Sequence, residues 1–237
     1  MTGELEFILK TAQSLIRQRK LAAAEALLLD EYKKSANYPL INLALGEIFF
    51  LKGNIAASLQ YLKIAYENGD NIPSVVVSYA EKLRLNDETT RAKEVLQIAI
   101  LNLPCDKVLL ESYANFCLTD QNPLESLEFN FRLLLLFPND STGHTNVAET
   151  YAALDNYEKS LEHQNIAIKY DSGSQVRLNR AITLLTLKKY QEGWAEYENR
   201  LGDDIISSPR RRLSVPRWNR QPLQNKTILV CSEQGVG

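Results

Sequence analysis

The sequence predicts an all-α fold, a solenoid of about six helix-turn-helix repeats, with a short strand-like tail at the C-terminal end. Three observations predict it. Apolar residues recur at helical spacing, the pattern returns about every 34 residues, and two positions of each repeat carry small side chains. A fixed period of this length is typical of stacked helical hairpins, because each hairpin buries its apolar face only against its neighbours.

The repeat is clearest between Pro73 and Asp106. Ala80 on a first helix and Ala92 on a second are expected where the two antiparallel helices cross, since a bulky side chain there would separate the backbones. Asn86-Asp87 is expected to cap the second helix with a side-chain oxygen. Pro104 is expected to end the unit, because proline cannot donate the next helical hydrogen bond.

Small residues recur at the crossing positions along the chain. The first-helix positions are Ala12, Gly46, Ala80, Ala114 and Ala148, and the second-helix positions are Ala24, Ser58, Ala92, Ser126 and Ser160. A further position holds Ala65, Ala99 and Ala167, with Leu133 in the fourth repeat. Pro104 recurs as Pro138, and Ala181 and Gly193 take the two small positions of a sixth, irregular unit. Their regularity predicts one architecture for most of the chain.

This pattern resembles the tetratricopeptide repeat (TPR). Leu45-Gly46 followed by Phe49 matches the family's first-helix signature, although Asn42 and Val76 stand where that signature often has tryptophan. The resemblance implies a right-handed TPR superhelical solenoid over 5–207. Its repeats are 5–38, 39–72, 73–106, 107–140, 141–174 and 175–207, followed by a linker over 208–225 and a tail over 226–237.

Turn residues predict where several second helices begin. Gly53 suits a left-handed turn, and Asn54 is expected to cap the helix that follows. Asn122 is expected to act as an N-cap with Pro123 at the first helical position. Asn130 occupies a position that is usually large and apolar, which predicts either a locally polar seam or a side-chain hydrogen bond there.

The two ends of the array differ from its middle. Lys10 and Arg17 indicate a solvated outer face on the first repeat, where no neighbour covers the helix. At the other end, Trp194, Tyr197 and Leu201 are expected to form one side of the last helix and to pack as core and cap.

The composition narrows the function classes. The 237 residues carry a formal net charge of −2, so we expect no nucleic-acid or membrane partner. Three cysteines without CxxC spacing predict neither a disulfide framework nor a metal site, and the acidic start at Glu4 and Glu6 is unlike a secretory leader, so a cytoplasmic location is expected. The apolar run 133–137 is far shorter than the roughly 20 residues that span a bilayer.

The TPR resemblance implies that side chains on the first helices line a concave groove. One such position, followed from repeat to repeat, reads Gln13, Glu47, Glu81, Asn115 and Glu149. Three carboxylates in line would suit a peptide rich in lysine or arginine. The alternative is that they are ordinary solvated helix glutamates. Asn146 and Asn179 are fragments of the asparagine ladder with which some relatives hold a peptide backbone.

No catalytic, cofactor or metal site is predicted. His144 and His163 fall on different predicted helices, with no cysteine or carboxylate at metal-ligand spacing. Cys105 follows a turn, which allows an exposed thiol. The basic run 210–212 is expected either to dock on acidic helix ends or to contact phosphate.

The C-terminal stretch is unlike a capping helix. The run 226–231, KTILVC, predicts a β-strand, and SEQGVG follows it. Together with GWAEYENR at 193–200 and RWNRQPL at 217–223, it resembles the junction in bacterial proteins that fuse TPRs to a C-terminal glycosyltransferase-like domain. The resemblance implies the truncated start of a Rossmann-like domain.

Two functions are therefore predicted. The first is a protein-interaction module, not an enzyme, that binds a peptide or partner helix in its groove. The alternative is the N-terminal, acceptor-presenting part of a TPR-containing glycosyltransferase whose catalytic domain is missing from this chain. The oligomeric state is left open.

Overall fold

The structure, a computed structural model, describes residues 3–69, 72–201, 218 and 221–228. These residues form twelve α-helices, a final 3₁₀ turn and no strand. The helices are α1 (Gly3–Arg17), α2 (Leu21–Lys34), α3 (Pro39–Leu51), α4 (Ile55–Asn68), α5 (Pro73–Leu85), α6 (Thr89–Asn102), α7 (Lys107–Thr119), α8 (Pro123–Leu136), α9 (Ser141–Ala153), α10 (Tyr157–Tyr170), α11 (Ser174–Thr186) and α12 (Tyr190–Tyr197). The 3₁₀ turn is Glu198–Leu201.

The chain divides into two compact units, 1–136 with α1–α8 and 137–237 with α9–α12. In both units consecutive helices pair as hairpins. The first helix of a hairpin also contacts the second helix of the hairpin before it, as α3 contacts α2, α5 contacts α4, and α11 contacts α10. This repeated packing of helical hairpins confirms the all-α, solenoid fold class that the repeat period predicts.

The small residues lie in the helix seams, and every alanine and serine among the crossing positions is buried. Gly46 shows why size matters. A Cβ atom there would lie 2.6 Å from Leu62 Cγ, and one at Gly193 would lie 2.8 Å from Leu185 Cδ2. The backbones approach so closely at these two crossings that any larger side chain would displace a neighbour.

A left-handed residue stands in each turn between the two helices of a hairpin. The residues are Arg19, Gly53, Asp87, Gln121, Asp155 and Lys188, with φ between 55° and 78°. The expectation that Asn86-Asp87 caps the second helix is wrong. Asp87 occupies the left-handed position, which leaves Glu88 as the N-cap of α6 without a side-chain cap bond.

Two other caps are confirmed. Asn54 Oδ1 accepts a hydrogen bond from the Ala57 amide at 3.0 Å. Asn122 Oδ1 accepts one from the Glu125 amide at 3.4 Å, at the start of α8. Satisfying an amide that has no helical partner fixes where each helix begins.

The core of the first unit has two clusters. One joins the first two hairpins through residues such as Leu28 and Ile41, and the other runs from Leu62 to Leu133. Asn130 is buried beside the second cluster, and its Nδ2 donates to Ser126 Oγ at 3.3 Å. The side-chain bond expected for this polar seam residue is confirmed.

The last hairpin departs from expectation. α12 stops at Tyr197, and Trp194 is 60% exposed, so its predicted role in core packing is wrong. Among the described residues no further helix covers that face of α12. Lys226, Thr227 and Ile228 are exposed and form no strand. The rest of the predicted strand and Leu201's side chain, as well as most of the linker, lie outside the described residues.

Candidate functional site

One polar position recurs on four neighbouring helices of the first unit. Gln13, Glu47, Glu81 and Asn115 lie on α1, α3, α5 and α7, and each of these helices contacts the next. We call these four residues the first-helix surface. Gln13, Glu81 and Asn115 are exposed, and Glu47 is partly buried. The described structure therefore brings these polar groups to neighbouring helices with access to solvent.

A buried lysine stands between two of the carboxylates. Lys82 Nζ lies 2.8 Å from Glu81 Oε2 and 3.1 Å from Glu47 Oε1. The ammonium group also lies 4.6 Å from the centroid of the Phe50 ring, close enough for a cation–π contact. Ser78 Oγ donates a hydrogen bond to Glu47 Oε1. Two carboxylates share one ammonium, so this part of the surface carries one net negative charge rather than two.

Sequence reasoning missed Lys82, although a signal was present. One repeat earlier and one later, the same position holds Ile48 and Phe116, and both are buried. A lysine at a position with buried apolar counterparts needs a partner for its charge, because an unpaired ammonium is costly to bury. Glu47 and Glu81 supply that partner.

The corresponding position in the second unit is Glu149 on α9. Asn179 Nδ2 on α11 donates to Glu149 Oε1 at 3.2 Å, and Gln175 Nε2 donates to Asn179 Oδ1 at 2.9 Å. Burial of its carboxyl group raises the pKa of Glu149, although the residue keeps an exposed surface. Asn146, one turn earlier on α9, is partly buried.

Comparisons with known proteins bear on this architecture. No protein-family model matches the chain. The protein FlbA of Caulobacter vibrioides is 28% identical over 159 residues, a match that covers 65% of this chain and 27% of FlbA. The chain thus spans about a quarter of that relative's length.

Comparison with solved structures identifies the fold. A tetratricopeptide repeat protein from Parabacteroides merdae superposes with a TM-score of 0.65 at 17% identity, over 82% of this chain and 78% of that one. The chain has the TPR fold. The pilF structure from Pseudomonas aeruginosa gives a TM-score of 0.66 at 12% identity, over 81% of this chain and 87% of that one. These comparisons do not bear on the glycosyltransferase junction.

Within the TPR fold, α9 and α10 bring together two histidines that the sequence separates. His144 Nδ1 and His163 Nδ1 are 3.1 Å apart, and His144 Nε2 lies 3.0 Å from the Pro138 carbonyl oxygen. If His144 Nε2–H donates to that carbonyl, His144 Nδ1 accepts from His163 Nδ1–H. Burial, together with the charge of His144, lowers the pKa of His163.

The TPR hairpins offer little else of chemical reactivity. In the described residues no three histidine, cysteine or acidic side chains converge as metal ligands. Cys117 is buried, and burial raises its pKa to about 12, which keeps it a thiol at neutral pH. Cys105 is exposed, as the sequence allows. The described helices are too short or too polar to cross a bilayer.

Proposed function

We propose that this TPR protein is an interaction scaffold that binds a peptide or partner helix on its first-helix surface. The supporting observation is that Gln13, Glu81 and Asn115 present exposed polar groups from helices whose opposite faces are buried. Stacked repeats commonly use such a surface, because packing fixes the helices and leaves these side chains free for a partner.

The charge of this surface favours a basic partner. Lys82 holds Glu47 and one oxygen of Glu81 in place, while half of the Glu81 side chain stays exposed. The cluster of Glu47, Glu81 and Lys82 is still net negative. A lysine or arginine of the partner would place a second positive charge beside it. Asn115 adds one amide that can both donate and accept a hydrogen bond. In the second unit we propose Asn146 and Glu149 as a separate candidate contact surface.

The test is fluorescence anisotropy with three labelled peptides of equal length, which are rich in lysine and arginine, neutral, or acidic. We expect the basic peptide to bind, and Glu81→Lys to weaken that binding about tenfold, the loss of one favourable charged contact. Glu128→Lys is the matched control. It makes the same change of charge at an exposed site on α8, outside the first-helix surface.

Equal weakening by both variants would mean that the peptide responds only to net charge, and no binding of the basic peptide would refute the charge preference. The glycosyltransferase alternative depends on 226–237, of which the structure describes only Lys226, Thr227 and Ile228. No observation favours it, and it stays a prediction. We place the scaffold in the cytoplasm and assign it no catalytic role.

A further inference from the structure

One solvent-facing position of the second helices changes character in the middle of the chain. At this repeat position α2, α4 and α10 carry exposed charged side chains, Lys33, Glu67 and Lys169. α6 and α8 instead carry Leu101 and Leu135, which are 81% and 84% exposed. A single exposed leucine needs no explanation, whereas two leucines at positions that elsewhere hold charges indicate a surface that another molecule covers.

α6 and α8 run side by side in the same direction. Near their first turns, Lys93 Nζ lies 2.7 Å from Glu125 Oε2. Just beyond the end of α6, the Pro104 carbonyl oxygen accepts a hydrogen bond from Arg132 Nη2 of α8 at 2.7 Å. These contacts join the two helices near both ends, so the two exposed leucines lie together at the same end of a parallel pair.

Three further side chains extend this apolar surface. Ile98, one turn before Leu101, is 50% exposed, and Leu103 and Leu136 are 36% and 41% exposed. Leu103 precedes Pro104, and Leu136 lies one turn after Arg132, so both flank the hydrogen bond between the helices. We define the apolar patch as Ile98, Leu101, Leu103, Leu135 and Leu136, all within the first unit.

The size of the apolar patch suits a second copy of the chain. Its five side chains leave about 500 Å² of apolar surface in solvent, which is as large as the largest patch on a typical monomer. Homodimer interfaces are about 65% apolar, so a polar rim would extend such a patch to about 800 Å² per copy. Each partner of a stable complex buries about that area, roughly 800 Å².

The charges around the apolar patch also favour a second copy. Glu94 and Glu128 are exposed two turns before the two most exposed leucines, about 10 Å along the helix axes. Arg132 adjoins the patch, but its side chain is partly buried and its guanidinium group lies 5.9 Å from the centroid of the Phe129 ring. Two patches can therefore meet at their apolar centres, whereas the glutamates disfavour an anionic lipid surface.

We propose that two copies of the chain form a symmetric dimer through the apolar patch. The two-fold axis lies across α6 and α8 at the level of the leucines. Leu101 then meets Leu101 of the second copy, and Leu135 meets Leu135, as an interface between two identical surfaces allows. The helices of the two copies run antiparallel, because a parallel arrangement would bring Glu94 of one copy against Glu128 of the other.

This dimer goes beyond the proposed function. The apolar patch belongs to the second helices and the loop after α6, whereas Glu81 and Asn115 belong to first helices. A dimer would carry two first-helix surfaces, so a partner with two basic segments would bind more tightly than a partner with one.

The test is sedimentation equilibrium of the full 237-residue chain over rising concentration. We expect the average mass to rise from the 26.9 kDa of one copy toward twice that value and no further, because each dimer uses both of its patches.

Charge variants at one position test the symmetry. Leu135→Glu and Leu135→Lys each place like charges opposite each other, so each variant alone should raise the dissociation constant of the dimer about a hundredfold or more. Mixed in equal amounts, the two variants should associate again, because the glutamate of one copy meets the lysine of the other. Both substitutions introduce good helix formers at an exposed site, and circular dichroism checks that helicity is retained.

Phe7→Glu is the matched control. Phe7 is 71% exposed on α1, outside the apolar patch, so association should be unchanged. If the Leu135 variants lose helicity, Leu101→Glu and Leu101→Lys replace them, since Leu101 also meets its own counterpart.

The proposal is overturned by a mass of one copy at every concentration, by a mixture of the two charge variants that stays monomeric, or by loss of association in Phe7→Glu. A monomer that binds neutral phospholipid vesicles, and that loses this binding in Leu135→Glu, would assign the apolar patch to a lipid surface instead.

Discussion

Single residues set the geometry of each turn. Gln121 adopts the left-handed conformation at φ 56°, where Gly53 stands two repeats earlier in the chain at φ 78°. A side chain in this region costs about 1–2 kcal/mol, whereas glycine pays only its larger loss of backbone entropy, about 0.5–1 kcal/mol. Gln121→Gly should therefore raise the free energy of unfolding by about 0.5 kcal/mol.

Urea unfolding followed by circular dichroism measures this change. Glu128→Gly is the control, since a glycine within α8 should lower stability by about 1 kcal/mol. If both glycines destabilise the protein equally, the left-handed conformation at Gln121 does not cost the stability assumed here.

The histidine pair should make the stability of the second unit depend on pH. His163 has a lowered pKa because it is buried and faces His144, with Lys159 adding to the effect and Glu162 opposing it. As the pH falls below the ordinary value of 6.5, the unfolded chain takes up a proton that the folded His163 resists. This contribution to stability is therefore present above pH 6.5 and is lost as the pH falls through the lowered pKa.

We expect the free energy of unfolding of His163→Gln to fall less steeply than that of the unchanged protein as the pH is lowered. Urea unfolding of both proteins from about pH 7.5 to about pH 5 compares the slopes, and titrating groups that do not interact with His163 cancel between them. Parallel profiles would show that His163 titrates alike in the folded and unfolded chains.

The sequence could not reveal these pairs for a physical reason. Spacing along one helix predicts which residues share its face, but His144 meets His163, and Lys82 meets Glu47, across two different helices. Such contacts depend on helix rotation and side-chain rotamers, which the repeat period does not specify. The polar seam at Asn130 was predictable, because there the residue itself departs from the repeat pattern.

At the scale of elements, the crossing of α5 and α6 tolerates little change in volume. Ala92 is fully buried there. Ala92→Trp should lower the free energy of unfolding by about 3 kcal/mol or more, since overpacking forces the two helices apart. Ile98→Trp, at a half-exposed position of the same helix, should leave thermal melting nearly unchanged. Equal melting of the two variants would contradict the assigned crossing.

An ion cluster joins α11 to α12. Glu196 accepts from Arg180 Nε and Nη2, both at 2.6 Å, and from Arg177 Nη1 at 3.2 Å. Glu196 is buried while both arginines keep part of their side chains in solvent. Glu196→Ala should therefore cost roughly 2–3 kcal/mol, below the upper range for a broken buried pair.

Hydrogen exchange in α12 reports this loss locally, because the cluster joins α12 to α11. Glu192→Ala removes an exposed carboxylate from the same helix and should leave exchange unchanged. Faster exchange in both variants would indicate that the loss of negative charge along α12, rather than of the ion cluster, destabilises the helix, since alanine has a higher helix propensity than glutamate.

For the whole molecule, charge limits the choice of partner. The net charge is −2, so we expect no long-range field that would attract the chain to a polyanion. We expect no salt-sensitive binding of labelled DNA or RNA by fluorescence anisotropy, despite the basic run 210–212. Binding that weakens steeply with added salt, and that disappears when the three arginines are replaced by glutamine, would refute this.

The fold as a whole was predictable because one local rule, small residues at two crossings per period, is repeated in every hairpin. The ends were not. Trp194 is a large aromatic residue of the type that cores contain, yet it is 60% exposed. A periodic pattern predicts how neighbouring repeats pack against each other, but it carries no information about what packs against the last described repeat.

The left-handed turn residues also delimit segments of the chain that are one hairpin long. From Arg19 to Asp155 they recur at one constant step, and the step to Lys188 is one residue shorter because the loop before α11 has three residues where the loops before α7 and α9 have four. Recombination between two such turns adds or removes one whole hairpin and leaves every later helix in phase. An insertion or deletion within a helix would instead rotate all following side chains of that helix about its axis, by about 100° for each residue added or removed. The array can therefore lengthen or shorten by gene duplication in whole hairpins, and small length changes are absorbed in the loops between them.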